Sequence, residues 1–345
     1  MIFTVERLRL VCFSLFLLHA MHALKRYLYS DIGEVNFLDI DIVPASNPMH
    51  LHNSRFVQYM KRYKVAAVMF EHRPLKELVY VLRHYHEVLP NDITIHIFHG
   101  TSNRQNLPDI ESYEARHGKK REIIYTNTGL GNIIREFYNL HMKNISFWKS
   151  DLGDYDYVLL FQADTVLCEQ NRFKNGEYIA TLFDYDYIGA PWLDAGMTWN
   201  SKGRKLHPKR PKGFPCACLQ DRTLPRLYTV VGNGGLSWRN RRAMVSVIEK
   251  FKNAEKPFNE DLWFACGIKA LDNYTIANES IAARFAIETV DDSRRLDMPP
   301  FGLHKTWHYV DNLGHKLAGY KRCRALQGLL GIIHTNESRK GKSDL

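Results

Sequence analysis

Short apolar runs alternate with amphipathic segments through the first half of the chain. The runs VAAVMF, ITIHIF, IIYT and YVLLF are short and nearly continuous in apolar residues, as buried strands are. Between them, LKELVYVLRHYHEVL and NIIREFYNLHMKNISFWKS repeat apolar residues at spacings of three and four, which predicts helices. Strand, helix and strand in this order predict parallel pairing. The pattern therefore predicts an α/β fold with a mostly parallel, Rossmann-like sheet flanked by helices.

The regular alternation ends near residue 170. FDYDYIGAPW predicts one more strand, WRNRRAMVSVIEKF and NEDLWFACGIKAL predict two helices, and RFAIETV predicts a late strand. Between these elements, the basic, Pro-containing segment 198–226 predicts a long loop or an insertion. We therefore predict a single domain over residues 61–322. A stem or peripheral segment over 25–60 precedes it, and a basic tail over 323–345 follows it.

The N-terminus carries the apolar run Leu10 to Leu18, which follows Arg7 and Arg9. The run is shorter than the about 20 residues that span a bilayer. Basic residues before a short apolar core are typical of a signal peptide. Residues 1–24 are therefore predicted to be a signal peptide or a short signal anchor. The alternative, an amphipathic helix packed on the domain, is disfavoured because no polar stripe occurs before His19.

Four Asn-x-Ser/Thr sequons and six cysteines bear on the compartment. The sequons begin at Asn144, Asn273, Asn278 and Asn336. Together with the N-terminal run they favour the lumen of the secretory pathway, in the Golgi or the endoplasmic reticulum, with membrane attachment through the N-terminus as one option. No CxxC pair occurs, so a zinc site is disfavoured, and one or two disulfides are compatible with the sequence.

The chain is basic, since Lys and Arg exceed Asp and Glu by 47 − 37 = 10. Such a balance points to anionic ligands, anionic surfaces or nucleic acid and does not choose among them. Part of the excess lies in the segment 198–226 and in the C-terminal tail, and no nucleic-acid-binding module is recognisable. We therefore expect no nucleic-acid partner.

The position of an aspartate relative to its strand separates the acidic candidates. In an open parallel sheet, ligands bind outside the carboxyl ends of the strands. The strings 154–156 and 184–186, both Asp-Tyr-Asp, precede their strands, whereas Asp164 follows its strand directly. A carboxylate there can hold Mg²⁺ or Mn²⁺ together with substrate phosphates. The alternative is that Asp164 caps the following turn.

Other candidates lie in loops or in the first turn of a helix. Glu260 and Asp261 occupy the first turn of a predicted helix, where the helix dipole stabilises negative charge and a general base can be held; ordinary helix-start acids are the alternative. In PPFGLHKTWHY, the His304 imidazole could complete a metal site and Lys305 could meet a phosphate.

Two further segments complete the candidate set. Glu71 and Arg73 follow the first strand at the predicted ligand-binding end, and Arg is well shaped for nucleotide contacts. The turn formed by Gly232, Asn233, Gly234 and Gly235 is nearly devoid of bulky side chains, which indicates a tight turn or the close approach of another group to the backbone.

The ordered set FQADTVLC, YDYIGAPW, VGNGGLSWRNRRAM, NEDLWF and PFGLHKTW resembles a family of uncharacterised glycosyltransferase-like domains with the GT-A fold. It is more distantly similar to metal-dependent galactosyltransferases, which also carry an NGG-type turn and an acidic pair. The likeness covers roughly residues 60 to 310. One departure is that the usual Asp-x-Asp is reduced to Gln162-Ala163-Asp164.

The resemblance implies a single catalytic domain that binds a nucleotide-sugar donor, with a UDP-sugar as the first expectation. It implies Asp164 and His304 as ligands of Mn²⁺ or Mg²⁺, Asp261 as the base of an inverting transfer and Glu260 as an acceptor contact. The glycines of the turn would be bare so that the sugar and a glycan, protein or lipid acceptor can approach backbone amides. A non-catalytic carbohydrate- or nucleotide-binding protein on the same scaffold is the rival interpretation.

Overall fold

The computed structural model describes residues 55–107, 121–133, 135–168, 177–192, 198–199, 205–206, 230–253, 259–288, 300–306, 323 and 325–333. The predicted signal segment 1–24, the predicted stem up to residue 54 and the sequon at Asn336 lie outside the described residues. Among the helices that are described, none is long and apolar enough to cross a membrane.

Helices and strands alternate along the first half of the chain. The helices are α1 (Arg55–Arg62), α2 (Glu77–Val88), α3 (Arg135–Met142), α4 (Glu177–Leu182), α5 (Arg241–Lys250), α6 (Glu260–Lys269) and α7 (Glu279–Phe285), and residues 325–333 are also helical. The strands are β1 (Val65–Glu71), β2 (Thr94–His99), β3 (Ile123–Asn127), β4 (Tyr157–Phe161), β5 (Thr165–Leu167), β6 (Tyr187–Gly189), β7 (Pro191–Trp192), β8 (Thr198–Trp199), β9 (Lys205–Leu206), β10 (Val230–Val231), β11 (Leu236–Asn240), β12 (Ala286–Ile287) and β13 (Gly302–His304).

The central sheet has the strand order β3-β2-β1-β4-β11-β6. The first four strands pair in parallel, while β11 runs antiparallel to both β4 and β6. The predicted α/β fold with a helix-flanked sheet is confirmed at this level. The sheet is mixed, because β11 runs in the opposite direction to its two neighbours, and a mostly parallel sheet of the GT-A type stays a prediction.

Both faces of the sheet are covered, and β1 shows how. Successive side chains of a strand point to opposite faces. Val65, Ala67 and Met69 pack into one apolar cluster with α2, while Ala66 and Val68 pack into a second cluster with α5 and α6. The buried run therefore reads as continuous in sequence because each of its faces meets a helical layer.

One predicted helix begins later than expected. WRNRRAMVSVIEKF was expected to be helical throughout, but its first three residues belong to β11, and α5 begins at Arg241. The Asn240 side chain accepts hydrogen bonds from the N–H groups of Arg242 and Ala243, which is the usual N-cap arrangement. The cap fixes the change from strand to helix at this residue.

A second predicted helix is interrupted. The segment before β4 ends its α-helix at Met142 and continues as a π-helical turn over Phe147–Asp151. Between them, the Asn144 side chain accepts a hydrogen bond from the Ser146 N–H at 3.0 Å. The hydrogen bond of the Asn144 side chain replaces the backbone bonding of a continuous α-helix, and Asn side chains often form such local turns.

The domain boundaries predicted from the sequence need correction at both ends. Phe56 of α1, placed in the predicted stem, is buried in the core. Residues 325–333, placed in the predicted tail, pack Leu326 and Leu329 into the same cluster, and Cys323 forms a disulfide with Cys168. Apolar burial and the covalent link thus make these segments part of the fold.

The predicted loop or insertion at 198–226 is described only in part. β8 and β9 pair antiparallel within it, and its remaining residues lie outside the described part of the chain.

Candidate functional site

Asp164 and His304 are brought together by the pairing of β5 with β13. His304 lies opposite Thr165 in this antiparallel pair. The backbone N–H of Lys305 donates to the Asp164 carbonyl at 3.0 Å. As a result, His304 Nε2 lies 3.4 Å from Asp164 Oδ1. Two residues chosen separately from the sequence therefore share one site.

His304 is buried between two carboxylates, because its Nδ1 lies 3.3 Å from Glu288 Oε1 on the other side of the ring. Burial lowers the pKa of an imidazole, but Asp164 and Glu288 outweigh it and raise the pKa of His304 to about 10. Burial raises the pKa of Asp164, but His304, Lys305 and Arg73 outweigh it and lower that pKa to about 2. Asp164 and His304 therefore form an ion pair at neutral pH.

The glycine turn before β11 touches both halves of the site. A side chain at Gly234 would overlap the Glu260 carboxylate, and one at Gly235 would overlap the His304 ring. Because consecutive Cα atoms are about 3.8 Å apart, the acidic pair and His304 lie beside neighbouring residues of a single turn. The packing of the protein's own side chains thus explains why these two positions are glycine.

The backbone groups of the turn also have partners inside the protein. The N–H of Gly234 donates to Asp261 Oδ2 at 3.2 Å, and the N–H of Gly235 donates to Asn233 Oδ1 at 2.9 Å. Gly232 has a φ of 147°, and its carbonyl accepts a hydrogen bond from the Tyr187 hydroxyl. The approach of a sugar to these amides stays a prediction.

Glu260 is buried and paired with a buried arginine. Arg239 Nη1 donates to Glu260 Oε2 at 2.6 Å, and Arg239 Nη2 donates to Glu260 Oε1 at 3.0 Å. The Glu260 N–H donates to the Asn139 side chain of α3, which caps the start of α6. Since both Glu260 oxygens already bind Arg239, a direct contact of this carboxylate with an acceptor would compete with the ion pair.

Asp261 has the properties of a weak base held in place. Its Oδ1 accepts a hydrogen bond from the Leu262 N–H, and its Oδ2 accepts the bond from Gly234. Burial, followed by the charge of Glu260, raises the pKa of Asp261 to about 7. A carboxylate with that pKa is partly ionised at neutral pH, which suits proton abstraction.

Glu71 and Arg73 form an ion pair at the carboxyl end of β1. Arg73 Nη2 lies 2.6 Å from Glu71 Oε2, and the N–H groups of His72 and Arg73 both donate to Glu71 Oε1. The Asn103 side chain donates to the Glu71 carbonyl. Arg73 is half-exposed and contributes to lowering the pKa of Asp164. These residues therefore border the site that contains Asp164.

Lys305 has an unusual backbone. Its φ is 49°, a left-handed conformation that is uncommon for residues other than glycine. Its Nζ lies 4.0 Å from Asp164 Oδ2. Such strain is characteristic of functional positions when the surrounding structure holds it in place.

The residues present fit the divalent cation that the sequence predicts. No group of three His, Cys, Asp or Glu side chains forms a metal cage among the described residues. Asp164 Oδ1, however, is buried without a hydrogen-bond partner there, and its distance to His304 exceeds the about 3.2 Å of a normal hydrogen bond. Once a cation has displaced the proton that His304 carries in the ion pair, two such ligands suit an ion that also binds phosphates and water. Glu288 faces the second ring nitrogen, as carboxylates do beside metal-bound histidines.

Sequence reasoning missed Glu288 and Arg239. Glu288 follows the apolar residues of β12 directly, and this position after a short strand is the signal that could have identified it. Arg239 was assigned to a helix; the alternation of Leu236 and Trp238 with Ser237 and Arg239 is the signal that indicates a strand instead.

The chain belongs to the family described as proteins of unknown function (DUF5672), whose sequence profile matches residues 124–304. The match covers just over half of the chain and includes Asp164, the glycine turn, the acidic pair and His304. Glu71, Arg73 and Lys305 lie outside it. No curated protein matches this chain.

Proposed function

We propose that this protein is a glycosyltransferase with a GT-A-type domain, which moves a sugar from a nucleotide-sugar donor to an acceptor hydroxyl. One observation carries the proposal: the Asp164–His304 pair and the base candidate Asp261 meet at the same glycine turn, beyond the carboxyl end of β4. That end of an α/β sheet is where ligands bind. The motif order and the mixed sheet are compatible with this class.

In the proposed reaction, the Asp261 carboxylate accepts the proton of the acceptor hydroxyl. The hydroxyl oxygen forms a bond to the anomeric carbon from the face opposite the diphosphate. The bond between that carbon and the phosphate oxygen breaks, and its electron pair leaves with the nucleoside diphosphate. The configuration at the anomeric carbon is inverted.

The leaving diphosphate is anionic, and the cationic side chains at this end of the sheet lie where they could stabilise it. Lys305 and Arg73 both act on Asp164 electrostatically, so they are close enough to share a ligand with it. Asp164 and His304 would hold Mn²⁺ or Mg²⁺, which supplies further neutralisation of the diphosphate charge. Glu71 fixes the Arg73 guanidinium through the ion pair described above.

Glu260 has a different role in this proposal from the acceptor contact implied by the resemblance. Because Arg239 binds both of its oxygens, we assign Glu260 to shaping the electrostatic surroundings of Asp261. The protein is proposed to act in the Golgi or the endoplasmic reticulum. The Cys168–Cys323 disulfide supports such an oxidising compartment.

The test is the release of nucleoside diphosphate from UDP-, GDP- and CMP-sugars (nucleoside monophosphate for the last), with Mn²⁺ and with glycan, protein and lipid acceptors. Asp261→Asn should lower turnover about 10²–10⁴-fold and leave donor affinity within about twofold, since it keeps the side-chain shape. Turnover in this variant equal to that of the unchanged protein would contradict the base assignment. A donor that binds but is never consumed by the unchanged protein would favour the rival, a non-catalytic binding protein.

A further inference from the structure

Arg239 is a charged side chain with no exposed surface, in the second-to-last position of β11. In the sheet it lies between Val158 of β4 and Tyr187 of β6. Moving a guanidinium from water into such surroundings is costly unless its donors are paired. The hydrogen-bond partners of Arg239 therefore indicate the role of its side chain.

All three guanidinium nitrogens of Arg239 are used. Nε donates to Ser237 Oγ at 2.8 Å, and Nη1 and Nη2 donate to the two oxygens of Glu260. Nη2 also approaches the Gly234 carbonyl at 3.4 Å. One planar group thus connects the start of α6 with the glycine turn.

The surroundings of Arg239 are otherwise aromatic. The rings of Tyr187, Phe264 and Trp148 have their centroids 5.2, 5.6 and 5.9 Å from its guanidinium carbon. An apolar side chain would pack well in such a place, and replacing a buried ion pair by apolar residues is often neutral or stabilising. Stability alone therefore gives little reason for an arginine here.

Asp261 is linked to both groups that Arg239 binds. It follows Glu260 directly in α6, and its Oδ2 accepts the hydrogen bond of the Gly234 N–H. A Cβ at Gly234 would lie 2.8 Å from Asp261 Cβ and 3.0 Å from Arg239 Nη2, so the turn, the guanidinium and the aspartate are in close contact.

We propose that Arg239 is a positioning residue for Asp261: by binding Glu260 and the Gly234 carbonyl together, it fixes the Asp261 carboxylate and compensates the negative charge beside it. The inference rests on the proposed function only in calling Asp261 a base. The placement and the charge compensation can be measured without any donor or acceptor.

The charges that act on Asp261 come from several elements. Burial has the largest effect on its pKa and raises it, and Glu260 and Glu288 raise it further, while Arg239 lowers it. The phenols of Tyr138 and Tyr187 are also coupled to Asp261 and are neutral, because burial raises their pKa values. The pKa of Asp261 should therefore fall when the charge of Glu260 is removed and rise when the contacts of Arg239 are weakened.

The experiment follows the titration of Asp261 by NMR in the full chain labelled with ¹³Cγ-aspartate. The Asp261 signal is assigned by its loss in Asp261→Asn. Glu260→Gln removes the negative neighbour and keeps Arg239, so the midpoint should fall by about one pH unit or more. Arg239→Lys keeps a positive charge, but an ammonium cannot bind both Glu260 oxygens and the Gly234 carbonyl, so the midpoint should rise by about half a unit.

The matched control is Arg121→Lys. Arg121 is also a buried arginine, but it donates to the backbone carbonyls of Leu89 and Ile93, away from Asp261. This variant should leave the Asp261 midpoint unchanged. Opposite shifts in Glu260→Gln and Arg239→Lys are not expected from a general loosening of the fold, which would move both variants and the control in the same way.

An Asp261 midpoint in Arg239→Lys that stays within about 0.3 units of that of the unchanged protein would overturn the proposal, whatever Glu260→Gln shows. If Arg239→Lys does not fold, Arg239→Gln combined with Glu260→Gln is compared with Glu260→Gln alone: the midpoint should be higher in the double variant because the positive charge that lowers it is gone, and equal midpoints would overturn the proposal. Shifted midpoints in a protein that consumes no nucleotide sugar would contradict the proposed function and leave the positioning role standing. The two failures are therefore distinguishable.

Discussion

Aspartates lie at both ends of the central sheet, but the groups that they contact differ. At the end where β6 begins, Asp186 Oδ1 accepts a hydrogen bond from the Asn240 side chain and Oδ2 accepts one from the Thr275 N–H. At the other end, beyond β4, Asp164 Oδ1 is buried without a hydrogen-bond partner among the described residues and faces His304. The first carboxylate joins chain segments, whereas the second is directed at an ionisable side chain.

This difference shows that the Asp-x-Asp spacing is a poorer guide here than the position relative to the strand. Both Asp-Tyr-Asp strings precede their strands. Asp156, in the first string, accepts a hydrogen bond from the Lys64 N–H and so ties the start of β1 to β4. The single Asp164 follows its strand and lies with Lys305, His304 and Arg73. We therefore expect substitutions at the two ends to have separable effects on function and on stability.

In the comparison of the two sheet ends, the largest effect is expected when Asp164 and Asp186 are replaced by alanine one at a time. Asp164→Ala should reduce turnover of the nucleotide sugar about 10²-fold or more, because a charge-stabilising group is lost. Asp186→Ala should leave turnover of the folded protein unchanged but lower the free energy of unfolding by about 1–3 kcal/mol, since hydrogen bonds to a charged group are lost. Equal loss of turnover in the two variants, after correction for the folded fraction, would remove the distinction.

The next largest effect is expected in the pH dependence of turnover and of the free energy of unfolding. Since the pKa of Asp261 is about 7, turnover should fall about tenfold per pH unit below 7 and level off above it. The contribution of Asp261 to the free energy of unfolding changes with pH in the opposite direction to turnover. A carboxyl whose pKa is raised from 3.8 in the folded state stabilises the fold at low pH, and that contribution is lost as the pH rises through about 7. A pH-rate profile and a set of unfolding curves would check both.

The contribution of Asp164 to the free energy of unfolding should depend on pH in the opposite way to that of Asp261. Its folded-state pKa is lowered to about 2, so its contribution is present above 3.8 and is lost as the pH falls through about 2. In Asp164→Asn, the acid side of the stability profile should therefore become flatter. An acid limb identical to that of the unchanged protein would contradict the ion pair with His304.

A smaller effect is expected at Lys305, where charge and strain can be separated. Lys305→Gly removes the ammonium and also relieves the left-handed conformation, so donor affinity should fall about tenfold while the free energy of unfolding stays constant or rises by up to about 1 kcal/mol. Lys305→Ala removes the ammonium but keeps the strained backbone, and is the matched control. A calorimetric titration and an unfolding curve of each variant test this; donor affinity unchanged in both would exclude the phosphate contact.

The smallest effect is expected for a sequon at the Asp186 end. Asn273 is exposed in a turn, and the backbone of Thr275, the hydroxyl residue of its sequon, binds Asp186. Thr275→Ala should abolish a glycan at Asn273, seen as increased gel mobility that equals that of the enzymatically deglycosylated site, without altering turnover. Reduced turnover in this variant would place functional groups at the end that we regard as structural.

The sequence predicted the central elements well, because their signals are local. The runs that became β1 and β4 are apolar on both faces because both faces of these strands are buried. The helix start at Asn240 was misplaced because three basic residues after Trp238 resemble an amphipathic helix, whereas the short strand β11 is fixed by pairing with β4 and β6. Pairing of that kind depends on distant residues.

The sequence named the residues of the candidate site, whereas their contacts with one another depend on the fold. Position after a strand identified Asp164, and position in a first helical turn identified Asp261. That His304 would face Asp164 depends on β13 pairing with β5, and the role of Arg239 depends on which face of β11 is turned towards α6. Neither feature can be predicted from the spacing of nearby residues, because both depend on packing between segments that are distant in the sequence.

The most direct test of the central claim, that the Asp164 end of the sheet binds a nucleotide sugar, is a thermal-shift measurement on the purified protein. UDP-, GDP- and CMP-sugars are compared with and without Mn²⁺, for the unchanged protein and for Asp164→Ala and Asp186→Ala. We predict that one nucleotide class raises the melting temperature only with Mn²⁺, and that the shift is lost in Asp164→Ala but kept in Asp186→Ala. No shift with any donor in a folded protein, or a shift that survives in Asp164→Ala, would contradict the claim.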